Sequence, residues 1–585
     1  MSVQPPRSRF RRVLLRTLLV LGIGLVLGIA AGGWWAWHHG EDWLERKVRE
    51  RIAQIIDDAS VPGYTFSMDD LVVDTRTGHL QVTNVELDFG PELLDSLRNG
   101  DFRYLFAARA GRIELRGLSF WRLVLLSEFK VGAFELVQPE ISYLISGKRV
   151  DLTDPFARLD QGTGPSISLV RADTFMIHGA QATVEDLGGD LPRMSLSNLA
   201  VQGRAVRISM GEVRRGVRLE LGDAGLAFDS LLAQLPDGDV LSIGRTRLSR
   251  SKRSGLVEHF SLVPAPQDST DMERPRRAVI DLSIDSIWLH GFDVDHLIAY
   301  QALRIGHLEL LDTRMRVVLD KCLAEVEPVL RPLPTMALRE LSFMIQVDTL
   351  SFRRASILYR ERDAATMRWG EVPFDRLEGS FTHITNFGPA ILEHPRIEGG
   401  FGGVLFDSAR IAGRYTAELD GSDRFTLMAS ATDLPLKNLN SATRPLLRVQ
   451  VNGGTLHRMD LRMEGDDRRA KGDLALHYSD LLVRVEPGTP RELKHSMFGS
   501  VVETMLKEAY GGGLSADRSR HWSIDRDPHR SMLAYLWHGV REGLARNLAP
   551  EAMERMRSML RTDAELRREQ RALRKQRRQE GQQEQ

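Results

Sequence analysis

The sequence predicts a mainly β protein: an elongated, twisted antiparallel sheet with an apolar groove, an N-terminal transmembrane helix, and amphipathic helices at both ends. Three observations predict it. In several runs between residues 64 and 485 apolar side chains recur at every second position, with Gly- and Asp-bearing turns after the later ones. A strand-turn-strand segment occurs twice in that region. One long uncharged run stands ahead of everything else.

That run, residues 17–37, is long enough to cross a hydrocarbon core of roughly 30 Å at about 1.5 Å per residue. Arg7, Arg9, Arg11, Arg12 and Arg16 precede it, and Glu41 and Asp42 follow. The positive flank belongs on the cytoplasmic side, so 1–16 is the cytoplasmic N-terminus and the bulk lies across the membrane. Trp34, Trp35 and Trp37 stand where an interfacial aromatic belt forms. Gly28-Ile29-Ala30 has the small-x-small pattern of a signal-peptide cleavage site. The apolar run and its tryptophans continue past it, which favours a retained anchor. In residues 41–59, Leu44, Val48, Ile52, Ile55, Ile56 and Ala59 recur at helical spacing. This amphipathic helix packs on the next domain or plugs the end of a groove, and Val61-Pro62-Gly63 stops it.

Residues 60–490 read as a repeat-like β-groove domain. Tyr64, Phe66 and Met68 alternate, as do Val85, Leu87 and Phe89. Ile411, Tyr415, Ala417 and Leu419 lead into Asp420-Gly421, and Phe425, Leu427 and Ala429 return, which is a hairpin. A second hairpin turns at Glu464-Gly465-Asp466. The only longer helical pattern falls in 91–108. Residues 113–145 align without a gap on 287–319, at a constant offset of 174. Leu115 matches Leu289, Gly117 matches Gly291, Gly132 matches Gly306, and Leu136 matches Leu310. A repeating strand unit builds a sheet that grows in one direction. With nothing to cover it, one apolar face must curl on itself or meet a ligand. Ile113, Leu115, Phe134, Leu136, Ile141, Tyr143 and Ile145 are the candidate groove residues. Alternation alone does not say which face is inner, because a one-residue shift exchanges the two.

Residues 491–560 read as a C-terminal helical cap. Residues 496–510 look helical, and Met532, Leu533, Leu536, Val540 and Leu544 form a stripe with Tyr535 and Trp537 beside it. That helix packs on the end of the sheet or lies in a membrane interface, with Tyr535 and Trp537 at the interface. The tail, 561–585, is almost wholly Arg, Glu, Gln and Lys, a solvated helix or a disordered end.

The chemistry of an enzyme is hard to find. There is no phosphate loop, no HExxH and no GxSxG elbow. Gly399-Gly400-Phe401-Gly402-Gly403 is followed by no helix and reads as a turn between strands. The neighbouring carboxylates Asp69-Asp70 and Asp466-Asp467 also read as turn residues. Cys322 is the one cysteine, so no intramolecular disulfide is possible and a buried thiol is expected. Asp293, Asp295 and His296 carry ligand chemistry, but the matching stretch of the other repeat does not. No catalytic residue, metal or cofactor is expected. The 79 basic residues balance the 79 acidic ones, which removes the broad positive field that nucleic-acid binding uses.

Several stretches together resemble the AsmA-like proteins of bacterial envelopes. They are the anchor and helix followed by YTFSMDDLVVDTRTGHLQVTNVELDF, and the paired units IELRGL and FELVQPEI. DLPLKNLNSATRPLLRVQVNGG and the late IDRDPHRSMLAYLWHGVREGL complete the set. The resemblance implies a U-shaped sheet open along one side, related to the bridge-like lipid transfer proteins. It also implies a bacterial inner-membrane anchor with the bulk in the periplasm. Phospholipid is the expected cargo, moved between inner and outer membranes, with an outer-membrane partner protein as a further candidate. The alternative is a non-catalytic envelope assembly factor that binds a client strand by edge pairing. The resemblance supplies no catalytic residues.

Overall fold

A computed structural model describes residues 63–74, 77–99, 104–118, 128–145, 169–188, 192–210, 217–220, 222–266, 276–324, 330–364, 366–485 and 514–548. The expected anchor at 17–37 with Trp34, Trp35 and Trp37, the helix at 41–59, the helix at 496–510 and the tail at 561–585 lie outside the described residues. Among the described residues no helix is long and apolar enough to cross a membrane. Strand makes up 67% of them and helix 14%, which makes the class mainly β. The chain divides into two units, residues 1–265 with 283–308, and residues 266–282 with 309–585.

In the first unit the short strands β1 (Tyr64–Ser67) and β2 (Asp70–Asp74) pair along β3 (His79–Phe89). The sheet continues through β4 (Tyr104–Arg116), β5 (Glu128–Ile145), β6 (Leu169–Asp186) and β7 (Arg193–Met210). Beside β7 run three short strands, β8 (Val217–Glu220), β9 (Asp223–Phe228) and β10 (Ser230–Gln234). Then β11 (Val240–Ile243) and β12 (Thr246–Ser249) pair along β13 (Ser254–Val263). One pairing corrects the expectation of a purely antiparallel sheet: β5 and β6 run parallel. Such neighbours need a connection that returns to the starting edge rather than a tight hairpin.

The helical pattern in 91–108 splits in the structure. Helix α1 (Pro91–Asn99) is only its first half, and from Tyr104 the chain is in β4. Leu93 and Leu97 of α1 pack on Tyr64, Leu87, Leu105 and Phe106.

The internal repeat is kept in three dimensions. Strand β14 (Ala278–His290), helix α2 (Val294–Tyr300) and β15 (Ala302–Asp320) follow β13 as β4 and β5 follow β3. Gly117 and Gly291 share a left-handed backbone, at φ 67° and 68°. Each lies against the glycine it is matched with, Gly117 on the backbone of Gly132 and Gly291 on that of Gly306. Gln138 and Asp312, also matched, have φ 49° and 53°. Gly291→Ala should therefore destabilise by about 1–2 kcal/mol, since a Cβ opposes the left-handed backbone and would stand 3.2 Å from Gly306. A thermal midpoint equal to the parent's would show that the turn tolerates a side chain.

In the second unit helix α3 (Pro334–Arg339) precedes β16 (Met344–Arg362) and β17 (Trp369–Thr385). Helix α4 (Gly388–Glu393) leads to β18 (Arg396–Leu405), β19 (Ala409–Glu418) and β20 (Phe425–Pro435). After helix α5 (Asn440–Leu447) come β21 (Val449–Gly465), β22 (Arg469–Val485) and β23 (Leu514–Asp525). All seven consecutive pairings from β16 to β23 are antiparallel. Both expected hairpins are present, as β19–β20 and β21–β22.

Two expectations are corrected here. Gly399 to Gly403 is part of β18 and not a turn. Glycines here leave room for aromatic rings: a side chain at Gly399 would strike Phe381, and one at Gly413 of the neighbouring β19 would strike Phe401. The 491–560 segment is also not helical throughout. Strand β23 precedes helix α6 (Met532–Leu548).

Asp423, at the β19–β20 turn, ties α3 to the sheet. It accepts from Thr335 Oγ1 and from both terminal nitrogens of Arg339, each at 2.8 Å. Burial pushes its pKa up, but the Arg339 and Thr335 hydrogen bonds outweigh that and hold it below the ordinary carboxylate value. A depressed pKa means stability that is present above the unfolded value, about 3.9, and lost as pH falls through the folded one. Asp423→Asn keeps a residue that accepts the left-handed backbone at φ 54°. It should cost about 1–2 kcal/mol at neutral pH, a figure reduced because Arg339 is more than a third exposed. The variant should lose less stability than the parent between about pH 4 and 2. Parallel pH curves for the two would remove Asp423 from the acid response.

Candidate functional site: an apolar sheet face

Residues directly opposite in neighbouring strands share a face, so the register reads off the surface of the first unit. One row runs Ala108, Ile141, Ala182, Leu196, Leu231, Ile243, Phe260. The next runs Phe106, Tyr143, Val184, Met194, Ala233, Leu241, Leu262. Every position in both rows is apolar or aromatic. Between them, on the opposite face, lie Ser142, Thr183, Ser195, Leu232, Ser242 and Ser261. Thr183 Oγ1 donates to Ser142 Oγ at 3.1 Å along that polar row.

Toward the other end of the same strands a third row runs Leu71, Val82, Ile113, Leu136, Ile177, Val201, Leu226, Leu248. A fourth holds Leu80, Leu115, Phe134 and Phe175. The Phe134 and Phe175 rings stack 5.2 Å apart. On the other face Glu114 accepts from Arg116 Nε at 2.5 Å and meets His79 Nε2 at 3.0 Å. The Arg116 hydrogen bond holds the Glu114 pKa below the ordinary value against the opposing effect of burial. One face thus carries ion pairs and the other apolar side chains.

The two pairs of rows are separated by a line of irregular residues. Asn84, Gln138, Gly179, Asn198 and His259 all have positive φ in mid-strand. Asn, Gly and His are among the residues that accept this conformation most readily. Two are pinned by side chains: Asn84 Nδ2 donates to Asp69 at 2.6 Å, and Asn198 Nδ2 to Asp229 at 2.7 Å. The period-two alternation changes phase there. Leu80 and Val82 are buried before Asn84 and Leu87 after it, and Val85 packs on the same core as Leu80 and Val82. The second unit shows the same device. Leu474, Leu476 and Tyr478 precede Asp480 (φ 56°) and Leu481 follows it, all in one core. The phase change keeps apolar residues on one side of a kinked strand.

The candidate groove residues fall into place on this map. Ile113, Leu115, Phe134 and Leu136 lie in the third and fourth rows, Ile141 in the first and Tyr143 in the second. Leu136 and Ile141 are five residues apart, and the phase change at Gln138 brings them to one face. Ile145 is two positions beyond Tyr143, buried and opposite Tyr104. Ile141 and Tyr143 are 37% and 40% exposed, so the face is uncovered there among the described residues. Leu196, Leu231, Ile243 and Phe260 were missed by the sequence reading. Their signal was present as the short alternations Met194/Leu196, Leu231/Ala233 and Leu241/Ile243.

In the second unit the corresponding apolar surface is occupied. Trp522 of β23 is fully buried with Met463, Leu474 and Tyr535, under helix α6. Gly539 and Gly543 of α6 lie directly on Trp522 and Leu474, where any side chain would collide. Asn547 Nδ2 donates to Leu474 O at 2.9 Å. This corrects the expectation that Tyr535 sits at a membrane interface: it is 3% exposed and edge-on to Phe425 at 6.0 Å. Residues two apart on a helix point about 200° apart, so Tyr535 and Trp537 cannot share a face. Trp537 is the exposed one.

Other candidates resolve into structural roles. Asp293 caps α2 by accepting from the His296 amide and pairs with Arg253. Asp466 accepts from the amides of Arg468 and Arg469 in the β21–β22 turn. The Cys322 thiol is half-buried rather than enclosed, 3.4 Å from Met367 Sδ, and burial raises its pKa. Among the described residues no three His, Cys, Asp or Glu groups converge as a metal site. No family model matches this chain, and no curated protein matches it.

Proposed function

We propose that the protein is a membrane-anchored lipid carrier, holding phospholipid acyl chains on the apolar face of its first unit and passing them between the inner and outer membranes of a bacterial envelope. The observation that carries this reading is the pair of unbroken apolar rows through Ile141 and Tyr143, each crossing seven strand courses beside a polar opposite face. At about 4.8 Å per strand, each row is roughly 30 Å long. An acyl chain laid on such a surface gains about 0.8 kcal/mol per buried CH₂, on the order of 10 kcal/mol per chain. Equivalent rows allow a lipid to slide from one to the next at little cost. The U-shaped curl of the sheet, the N-terminal anchor and the periplasmic location belong to the same proposal, supported by the arginine-flanked apolar run and the AsmA-like resemblance.

The assembly-factor reading needs an open strand edge. Among the described residues β23 pairs with β22 alone, and Arg546 of α6 donates to the carbonyl of its His521. The test is photocrosslinking in cells with a benzophenone amino acid at Leu196 or at Ser195. Lipid adducts at 196 and none at 195 are expected. Protein adducts at 196 in place of lipid would overturn the carrier reading.

A further inference from the structure

Helix α6 spends one face on the core, and its other face carries a stripe of a different character. Leu533 and Trp537, one turn apart, are 60% and 57% exposed. Arg541 follows one turn later on the same stripe, half-buried, with Glu542 and Arg530 as the charges that act on it. The neighbouring charges are engaged: Glu542 with Arg546, and Asp527 with Arg530. Leu330, 69% exposed, stands beside the start of this helix, because the Arg331 amide donates to Pro528 O and Arg526 holds the Arg331 carbonyl. Packing does not require these side chains outside, since Tyr535, Gly539, Gly543 and Asn547 already complete the contact with the sheet.

We propose that this outer face of α6 docks on an anionic lipid surface, with Leu533 and Trp537 entering the interface and Arg541 meeting a headgroup phosphate. Tryptophan favours the boundary between headgroups and hydrocarbon, and arginine can bury its stem while its guanidinium stays with phosphate. An arginine whose neighbouring carboxylate Glu542 is already held by Arg546, standing beside exposed apolar side chains, is complementary to that layer. The proposal builds on the carrier reading, since a carrier must touch the membrane it serves.

The test uses the full chain in phosphatidylcholine nanodiscs, immobilised, with fluorescent acceptor vesicles of phosphatidylcholine alone or with roughly 30% phosphatidylglycerol. The parent should capture the anionic vesicles preferentially. The Leu533→Ser, Trp537→Ser double variant should capture about five-fold less, and Arg541→Gln should lose the anionic preference while keeping weak capture. All three positions are exposed or half-exposed, so the variants should melt with the parent. Equal capture of neutral and anionic vesicles, or equal capture by the double variant, would overturn the proposal, as would no capture at all. Lipid retained by each protein is weighed in parallel by mass spectrometry. A parent that captures vesicles but retains no lipid would sink the carrier reading and leave the docking surface standing.

Discussion

Leu196→Asp should strip the protein of co-purifying phospholipid while leaving it folded. Leu196 lies at the centre of the first apolar row, between Ala182 and Leu231. It is half-exposed, so a carboxylate there stays hydrated in the empty protein and changes stability little. With an acyl chain laid over it, the carboxylate loses its water without gaining a partner. That costs roughly 3 kcal/mol or more, about a hundred-fold in retention. Ser195→Asp is the matched control, one residue away on the polar face. Mass spectrometry of lipid retained by the purified full chain reads the result. Full retention by a folded Leu196→Asp protein would mean that lipid does not lie on these rows.

The largest loss of stability should come from Trp522→Ala, about 3–5 kcal/mol. Trp522 is fully buried where β21, β22 and α6 converge, with Gly472 behind it and Gly539 and Gly543 in front. Its removal leaves a cavity that a helix seated on two glycines cannot readily fill. Gly543→Val attacks the same contact from the helix, by placing a side chain against Leu474 and Trp522. Both variants should lower the thermal midpoint and raise proteolysis within α6. If α6 only shields this end of the sheet, lipid retention on the first unit should survive Gly543→Val at temperatures where that unit stays folded. A Trp522→Ala protein that melts with the parent would show that α6 contributes little to the second unit.

Much of this molecule is local chemistry, and local chemistry is written in the sequence. Gly421 turns the chain with a left-handed backbone at φ 87°, Asp466 closes the other turn by accepting from the amides of Arg468 and Arg469, and both hairpins are present, the second turning just beyond Gly465. Period-two alternation places a strand wherever one side is buried, so the β class needed no contact information. The 174-residue repeat was legible because Gly117 and Gly291 are required at the same left-handed turn.

Register and phase were not legible. Alternation is relative, and a single left-handed residue such as Asn84 or Gln138 inverts it without leaving a hydrophobic mark. Only the pairing of Leu136 with Ile177, and of Ile141 with Ala182, shows that residues of odd and even number belong to one surface. Helical stripes are ambiguous in a similar way. Tyr535 and Trp537 look alike in sequence, and the core seals one and leaves the other in solvent because α6 can present only one face to Trp522. The parallel β5–β6 pair and the glycines inside β18 depend on distant strands. Residue type therefore determined the β class and the two hairpins. The tertiary structure alone decided which residues share the apolar side of the sheet, because that choice is made between strands and not within them.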